Sequence, residues 1–300
     1  MQISEPPIAA RPDNGAQSAA AGLRPLFCDT ALAQRIERAE AQLVVRASEA
    51  AHRRTGNDAG FVIRVAGGVA SFADEDSPFN KVAGLGFGGV PEATVLDEVE
   101  RMFAARCAPV QVELANLGDP AIGVLLTERD YRLTSFENVL GRAVTGTPER
   151  VRPPGVEVRR CGDDEFDAWL DVVVDGFSHP DTLGLPQHDE FPREAIERAE
   201  RDLVAAGGVT CYLALCDGFV AGGASMRMAD GVAQFGAATA PAYRRRGVQT
   251  ALLSTRFADA AAAGCEIAVV TTQPGSKSQQ NVQRRGFDLL YTRAVLVKQP

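Results

Sequence analysis

The chain has 300 residues, 45% of them apolar and 23% charged, with 29 Gly and 17 Pro. That composition fits a globular protein and excludes a collagen, a coiled coil and a wholly disordered chain; no apolar run approaches the roughly 20 residues a membrane-spanning helix needs. The net charge of −8 divides evenly, with 16 basic against 20 acidic residues in 1–155 and 15 against 19 in 156–300, which argues against nucleic acid as a partner.

Residues 1–26 lack an apolar signal core and are rich in Ala, Pro and Gly, so they read as a disordered arm. Asp29 or Thr30 can cap a helix to about His52, with Leu32, Ile36, Ala39 and Leu43 at helical spacing. Phe61–Val65 and Gly68–Phe72 read as strands, followed by a Gly-rich stretch at 84–89 and a helix over 92–106. A strand at 110–114, a short helix at 121–127 and a strand at 136–144 complete the first half. The seam at 145–155, rich in Gly and Pro, separates a first domain (27–147) from a second (156–300), with 148–155 as linker.

The second half opens with helices over 163–174 and 191–206. Three β-runs follow at 210–216, 219–228 and 232–238, joined by Asp217-Gly218 and Asp230-Gly231, which is a strong two-residue hairpin signal. A helix at 248–263, a strand at 266–271, a short helix at 278–285 and a strand at 287–297 close the chain. The order of elements in the two halves matches, which reads as a diverged internal duplication.

Six scattered cysteines without a CxxC pair, and His52, His179 and His188 without helical metal spacing, point to reduced thiols, no metal and a cytoplasmic protein. Cys265, at the start of a strand, reads as core.

The segment with chemistry in it is Arg244-Arg245-Arg246-Gly247-Val248-Gln249-Thr250, between a strand and a helix. A tight turn there leaves helix-start N–H groups pointing one way at the positive end of the helix dipole, a site suited to a diphosphate. This loop resembles the pyrophosphate loop of the GNAT superfamily of acyl-coenzyme-A-dependent N-acyltransferases, Gln/Arg-x-x-Gly-x-Gly/Ala. Pro241 and Tyr243 just upstream and Gly286-Phe287 near the C-terminus match further landmarks, and the resemblance covers about 156–300.

The resemblance implies an α/β fold of two GNAT-like domains in tandem, each a mostly antiparallel central sheet flanked by helices, the first degenerate and the second catalytic. It implies acetyl-CoA as cosubstrate, with the backbone of Ala237, Ala238 and Thr239 on the pantetheine and a strand bulge aiming an N–H at the thioester. The amides of Arg244, Arg245, Arg246, Gly247, Val248, Gln249 and Thr250 should hold the pyrophosphate, and the strand at 266–271 should splay away to admit the thioester. The acceptor is a small-molecule amine or a protein amine, and the chain a monomer or homodimer.

Three positions depart from the family pattern: Gln249 stands where the loop ends in Gly or Ala, Val282 where many members have a Tyr as general acid, and Gly275 where many have an Asn. Ser278 and Asn281 are candidates for the lost coenzyme contact, Tyr291 for the general acid and His179 for the base, since no Asp, Glu or His occurs on 232–240. Two other readings stay open. Without an evident acid or base the chain could be a non-catalytic acyl-CoA sensor. Gly84–Gly89 also matches GxGxxG, with Glu113 as a ribose ligand, though no parallel crossover unit is expected around it.

Overall fold

The computed structural model describes residues 25–56, 60–146, 148–181 and 191–300. Most of the expected N-terminal arm, and His188, fall outside them.

Helix α1 (Thr30–Thr55) starts where Asp29 accepts the Leu32 N–H at 2.8 Å and ends at Gly56 in the left-handed conformation. Strands β1 (Phe61–Val65), β2 (Gly68–Phe72) and β3 (Lys81–Leu85) form a meander. Then come α2 (Ala93–Ala104), β4 (Val110–Ala115), α3 (Pro120–Glu128, capped by Asp119) and the long β5 (Arg132–Ala143). The second half runs β6 (Val156–Arg160), α4 (Phe166–Ser178), α5 (Arg193–Ala205), β7 (Val209–Cys216), β8 (Phe219–Ala229) and β9 (Val232–Thr239). It ends with α6 (Val248–Ala262), β10 (Ile267–Thr272), α7 (Lys277–Gln283) and β11 (Asp288–Lys298). Both Asp-Gly pairs have positive φ at both residues, as the two-residue hairpin requires.

The halves do not build two sheets. All strands join one sheet in the order β1-β2-β3-β4-β11-β5-β10-β9-β8-β7-β6. Each half lends its last strand to the other: β5 pairs with β10, and β11 lies between β4 and β5. The sheet is mostly antiparallel, as expected, with β3–β4 and β9–β10 parallel. The first of these corrects the sequence reading, because β3, α2 and β4 do form a parallel crossover. Strand β6 was also not legible in the sequence; its Val-Glu-Val-Arg-Arg is short and half-exposed.

Helices α1, α4 and α5 cover one face, and α2, α3, α6 and α7 the other. Helix α1 spans the exchange, packing Ile36 and Ala39 on Val139, Val232, Val269 and Tyr291, and Val44 on Val69 and Ala83. At roughly 25 cal/mol per Å² of apolar burial, a helix seated across both halves makes them one unit rather than beads on a linker. The linker lies on α6, where the Val151 N–H donates to Ser254 Oγ at 3.0 Å.

Candidate active site

The Asp230-Gly231 turn makes Ala229↔Val232 a hydrogen-bonded pair, and pair type alternates from there along β8 and β9. Ala224↔Ala237 and Gly222↔Thr239 are then non-bonded pairs, so the N–H and C=O of Ala237 and Thr239 point to the other edge of β9. Ala238 instead directs its backbone groups to Gly223. On that other edge β10 pairs only with Val232, Ala233 and Gln234. Beyond Gln234 the strands part, as expected, and Ala237 and Thr239 face an open slot. The expected bulge is absent: one register holds from Ala229↔Val232 to Gly222↔Thr239. Ordinary β alternation already aims the Ala237 N–H into the slot. The Thr239 hydroxyl is buried beside it and has no hydrogen-bond partner among the described residues.

Beyond the slot, the chain turns through Pro241–Tyr243 and enters α6 at Gly247, whose φ of 86° is the left-handed geometry that favours Gly. A Cβ on Gly247 would come within 2.7 Å of Pro153 in the linker. No side chain among the described residues caps α6, so its first-turn N–H groups at Val248, Gln249 and Thr250 are left for a ligand or water. Arg244 donates to the His179 carbonyl, and Arg246 pairs with Asp217 at 2.5 Å. Arg245, exposed at φ 63°, has no partner among the described residues. The basic loop is thus partly neutralised, with one guanidinium free.

The slot leads at Ala237 into a cavity of about 330 Å³ between the sheet and α1, α4 and α5. Its floor includes Ser225 and Arg227 of β8, Gly236 of β9, Thr271 of β10 and Glu137 of β5. Its roof includes Leu43, Trp169, Phe177 and Glu200. The first half therefore walls this cavity through α1 and β5. Trp169 is fixed by its indole N–H, which donates to the Ala224 carbonyl at 3.0 Å.

The ladder of β10 on β5 ends at Thr272↔Asn138, so Glu137 sits one residue past it, at the mouth of the slot. Arg293 donates to its carboxylate at 3.3 Å. Burial and the neighbouring Glu113 nonetheless push the Glu137 carboxyl up to about 7, against the opposing pull of Arg293 and Lys81. Burial alone raises Glu200 to about 7. Both values suit a proton acceptor near neutrality.

Arg256 of α6 lies beneath the slot, fully buried without a carboxylate partner among the described residues, and burial lowers its pKa to about 9. It donates to the carbonyls of Leu252 at 3.1 Å, Ser225 at 3.1 Å and Gly236 at 2.7 Å, against the Phe235 ring. The Gly236 carbonyl shares its peptide with the Ala237 N–H. A charged donor on that oxygen polarises the amide and strengthens the N–H facing the slot.

The other sequence candidates lie elsewhere. The Tyr291 hydroxyl donates to Glu37 at 2.7 Å in a buried cluster with Arg293, and burial, then Glu37, raise its pKa well above the ordinary phenol value. His179 is exposed at the end of α4, with Nδ1 on the Asp175 carbonyl at 2.9 Å, and stands beside the basic loop rather than in the cavity. Ser278 is exposed and Asn281 half-buried on α7, neither lining the cavity. Val282 points into the core beside Phe257 and Phe287.

The Gly-rich stretch of the first half shows no room for a dinucleotide. A Cβ on Gly88 would run into the Ala66 carbonyl, and Gly86 abuts Gly118, accepting the Asp119 N–H at 2.9 Å. Glu113 is buried on Lys81 at 2.8 Å. Among the described residues no group suits a metal ion, and no helix is long and apolar enough to cross a membrane.

The model of the acetyltransferase (GNAT) family matches residues 174–287, the span that holds the slot, the basic loop and the Gly-Phe pair. The chain has the tandem GNAT fold. A GCN5-related N-acetyltransferase from Kribbella flavida aligns at TM-score 0.59 and 19% identity, over 84% of this chain and 95% of that one. A tandem GNAT protein from the clavulanic acid biosynthesis pathway aligns at TM-score 0.55 and 11% identity, over 84% and 87%. A GCN5-related N-acetyltransferase from Sphaerobacter thermophilus aligns at 0.53 and 16%, over 69% and 67%. No curated protein sequence matches the chain significantly. At these identities the GNAT likeness fixes the fold, which is one of acyl transfer in general.

Proposed function

We propose that the protein transfers an acetyl group from acetyl-CoA to a small primary amine held in the cavity between the two halves. The observation that carries this reading is the opened edge of β9: it runs from the uncapped start of α6 to the cavity and offers the Ala237 and Thr239 backbone along the way. In this reading the α6 N–H groups and Arg245 receive the pyrophosphate, and the β9 edge receives the pantetheine amides.

The amine attacks the thioester carbonyl directly. A C–N bond forms, the C–S bond breaks, and the Ala237 N–H, polarised through Arg256, stabilises the developing oxyanion. Glu137 takes the amine proton. The thiolate leaves without a side-chain acid and is protonated by water, which accommodates Val282 in the core and Tyr291 held by Glu37.

The test is thiol release from acetyl-CoA in the presence of a panel of primary amines. Turnover that disappears in Glu137→Gln, with acetyl-CoA still bound, supports the reading. Tight acetyl-CoA binding with no turnover for any amine would favour a coenzyme sensor instead.

A further inference from the structure

The cavity wall holds three cations, and two of them are matched by the protein. Lys81 pairs with Glu113 at 2.8 Å and approaches Glu40 at 3.9 Å. Arg293 pairs with Glu37 at 2.7 Å and Glu137 at 3.3 Å. Arg227 is different. It is 5% exposed, and its Nη1 donates to the Ala39 carbonyl at 3.0 Å and Gln234 Oε1 at 2.8 Å, both uncharged. Its Nε and Nη2 meet no acceptor among the described residues, and no carboxylate there forms an ion pair with it: Glu40 is held by Gln234 at 2.9 Å and, with Asp230, acts on Arg227 only from a distance.

Glu200 of α5, half-buried on the roof of the same cavity, has no hydrogen-bond or ion partner among the described residues. A buried guanidinium without a carboxylate beside it is costly, and a half-buried carboxylate without a partner adds to that cost. Arg227, Glu137 and Glu200 line one cavity, which suits a molecule carrying both charges.

We propose that the acceptor is an amine bearing a carboxylate, of the amino-acid class, with its carboxylate on the free edge of Arg227 and its amine toward Ala237 and Glu137. This rests on the transferase reading above. Arg227 is the cross-strand neighbour of Gln234, three residues before Ala237 on β9. At ~3.4 Å per residue the two levels are about 10 Å apart, so the acceptor is a short molecule. A cavity of about 330 Å³ is at the small end for ligand sites and agrees. A polyamine would meet Arg227 with like charge at the cavity floor.

The experiment offers the full-length protein the twenty free amino acids, their carboxamides and the corresponding decarboxylated amines, reading thiol release from acetyl-CoA and, separately, amino-acid binding by calorimetry. The expected result is at least one free amino acid used with kcat/KM about 10–100-fold above its amide, the size of a lost charged hydrogen bond. Arg227→Gln should reduce that ratio to within about threefold while leaving acetyl-CoA affinity unchanged, and Arg227→Lys should retain part of it. Amides or plain amines used equally well by the wild type, or a ratio intact in Arg227→Gln, would overturn the proposal. Acetyl-CoA binding with no amino acid used or bound would overturn it too. If acetyl-CoA does not bind, the transferase reading falls, and calorimetry still decides the cavity: amino-acid binding lost in Arg227→Gln supports the carboxylate site, and no binding refutes it.

Discussion

The two halves repeat one plan, strand–helix–parallel strand, and treat the gap between the parallel strands in opposite ways. In the second half, β9 and β10 part after Gln234↔Val269, and α6 begins at once behind a basic loop. In the first half, β3 and β4 stay together through Leu85↔Leu114, and the Asp119 N–H closes on the Gly86 carbonyl. There α2 begins at Ala93 behind Glu92, with Asp97 and Glu98 nearby. An open strand edge beside a positive helix start makes an anion and amide site, while a closed edge beside carboxylates makes a wall. The first half lends α1 and Glu137 to the wall of the cavity.

The strongest way to break this comparison is to separate the halves. Residues 156–300 alone would leave β10 without β5 and β11 without either neighbour, so that fragment should lack a cooperative thermal transition and aggregate. A well-folded, active fragment would show the exchange to be incidental. Next in size, Glu137→Gln should lower kcat/KM by about 10²–10⁴-fold with acetyl-CoA affinity retained. In the wild type, kcat/KM should rise with unit slope through pH 7 and level off above, since the carboxyl held up to about 7 must be ionised to accept a proton; the variant should lose that limb.

A third test addresses polarisation. Arg256→Lys keeps a buried cation but loses the reach and fixed geometry by which Nη1 bridges the Ser225 and Gly236 carbonyls while Nε holds Leu252, and should lower kcat about tenfold with little change in coenzyme Kd. The smallest effect concerns stability. The folded pKa of Glu200 lies above its ordinary value, so its contribution is fully present below about pH 4.5 and lost as pH rises through about 7. Glu200→Gln should flatten that decline, being more stable than wild type at pH 8 and nearly equal at pH 4, measured by urea unfolding.

Much of the fold was legible because its signals are local. The Asp29 cap, both Asp-Gly hairpins and the Gly247 loop each depend on residues within a few positions, and the structure places them as their chemistry requires. The strand exchange was not legible, because nothing in the apolar run of β11 states whether it pairs with β10 or with β4. The cavity residues were missed for the same reason. Glu137 reads as an ordinary alternating polar residue on a strand, and becomes distinctive only through its place beside the end of β10. Arg227 and Arg256 gave one available signal: each is a lone Arg inside an apolar pattern, in Ser-Met-Arg-Met and Thr-Arg-Phe, where burial is expected and a charge needs a reason. Tyr291 was singled out for its type, and its partner Glu37 lies 254 positions away in sequence.

The account's central claim is that one half binds the coenzyme and the other only shapes the site. Calorimetric titration of acetyl-CoA into the full-length chain and into Arg245→Glu and Glu92→Lys tests it directly. The account predicts one site per chain, weakened about tenfold or more by Arg245→Glu and unchanged by Glu92→Lys. Two sites per chain, or binding that responds to Glu92→Lys and ignores Arg245→Glu, would contradict it.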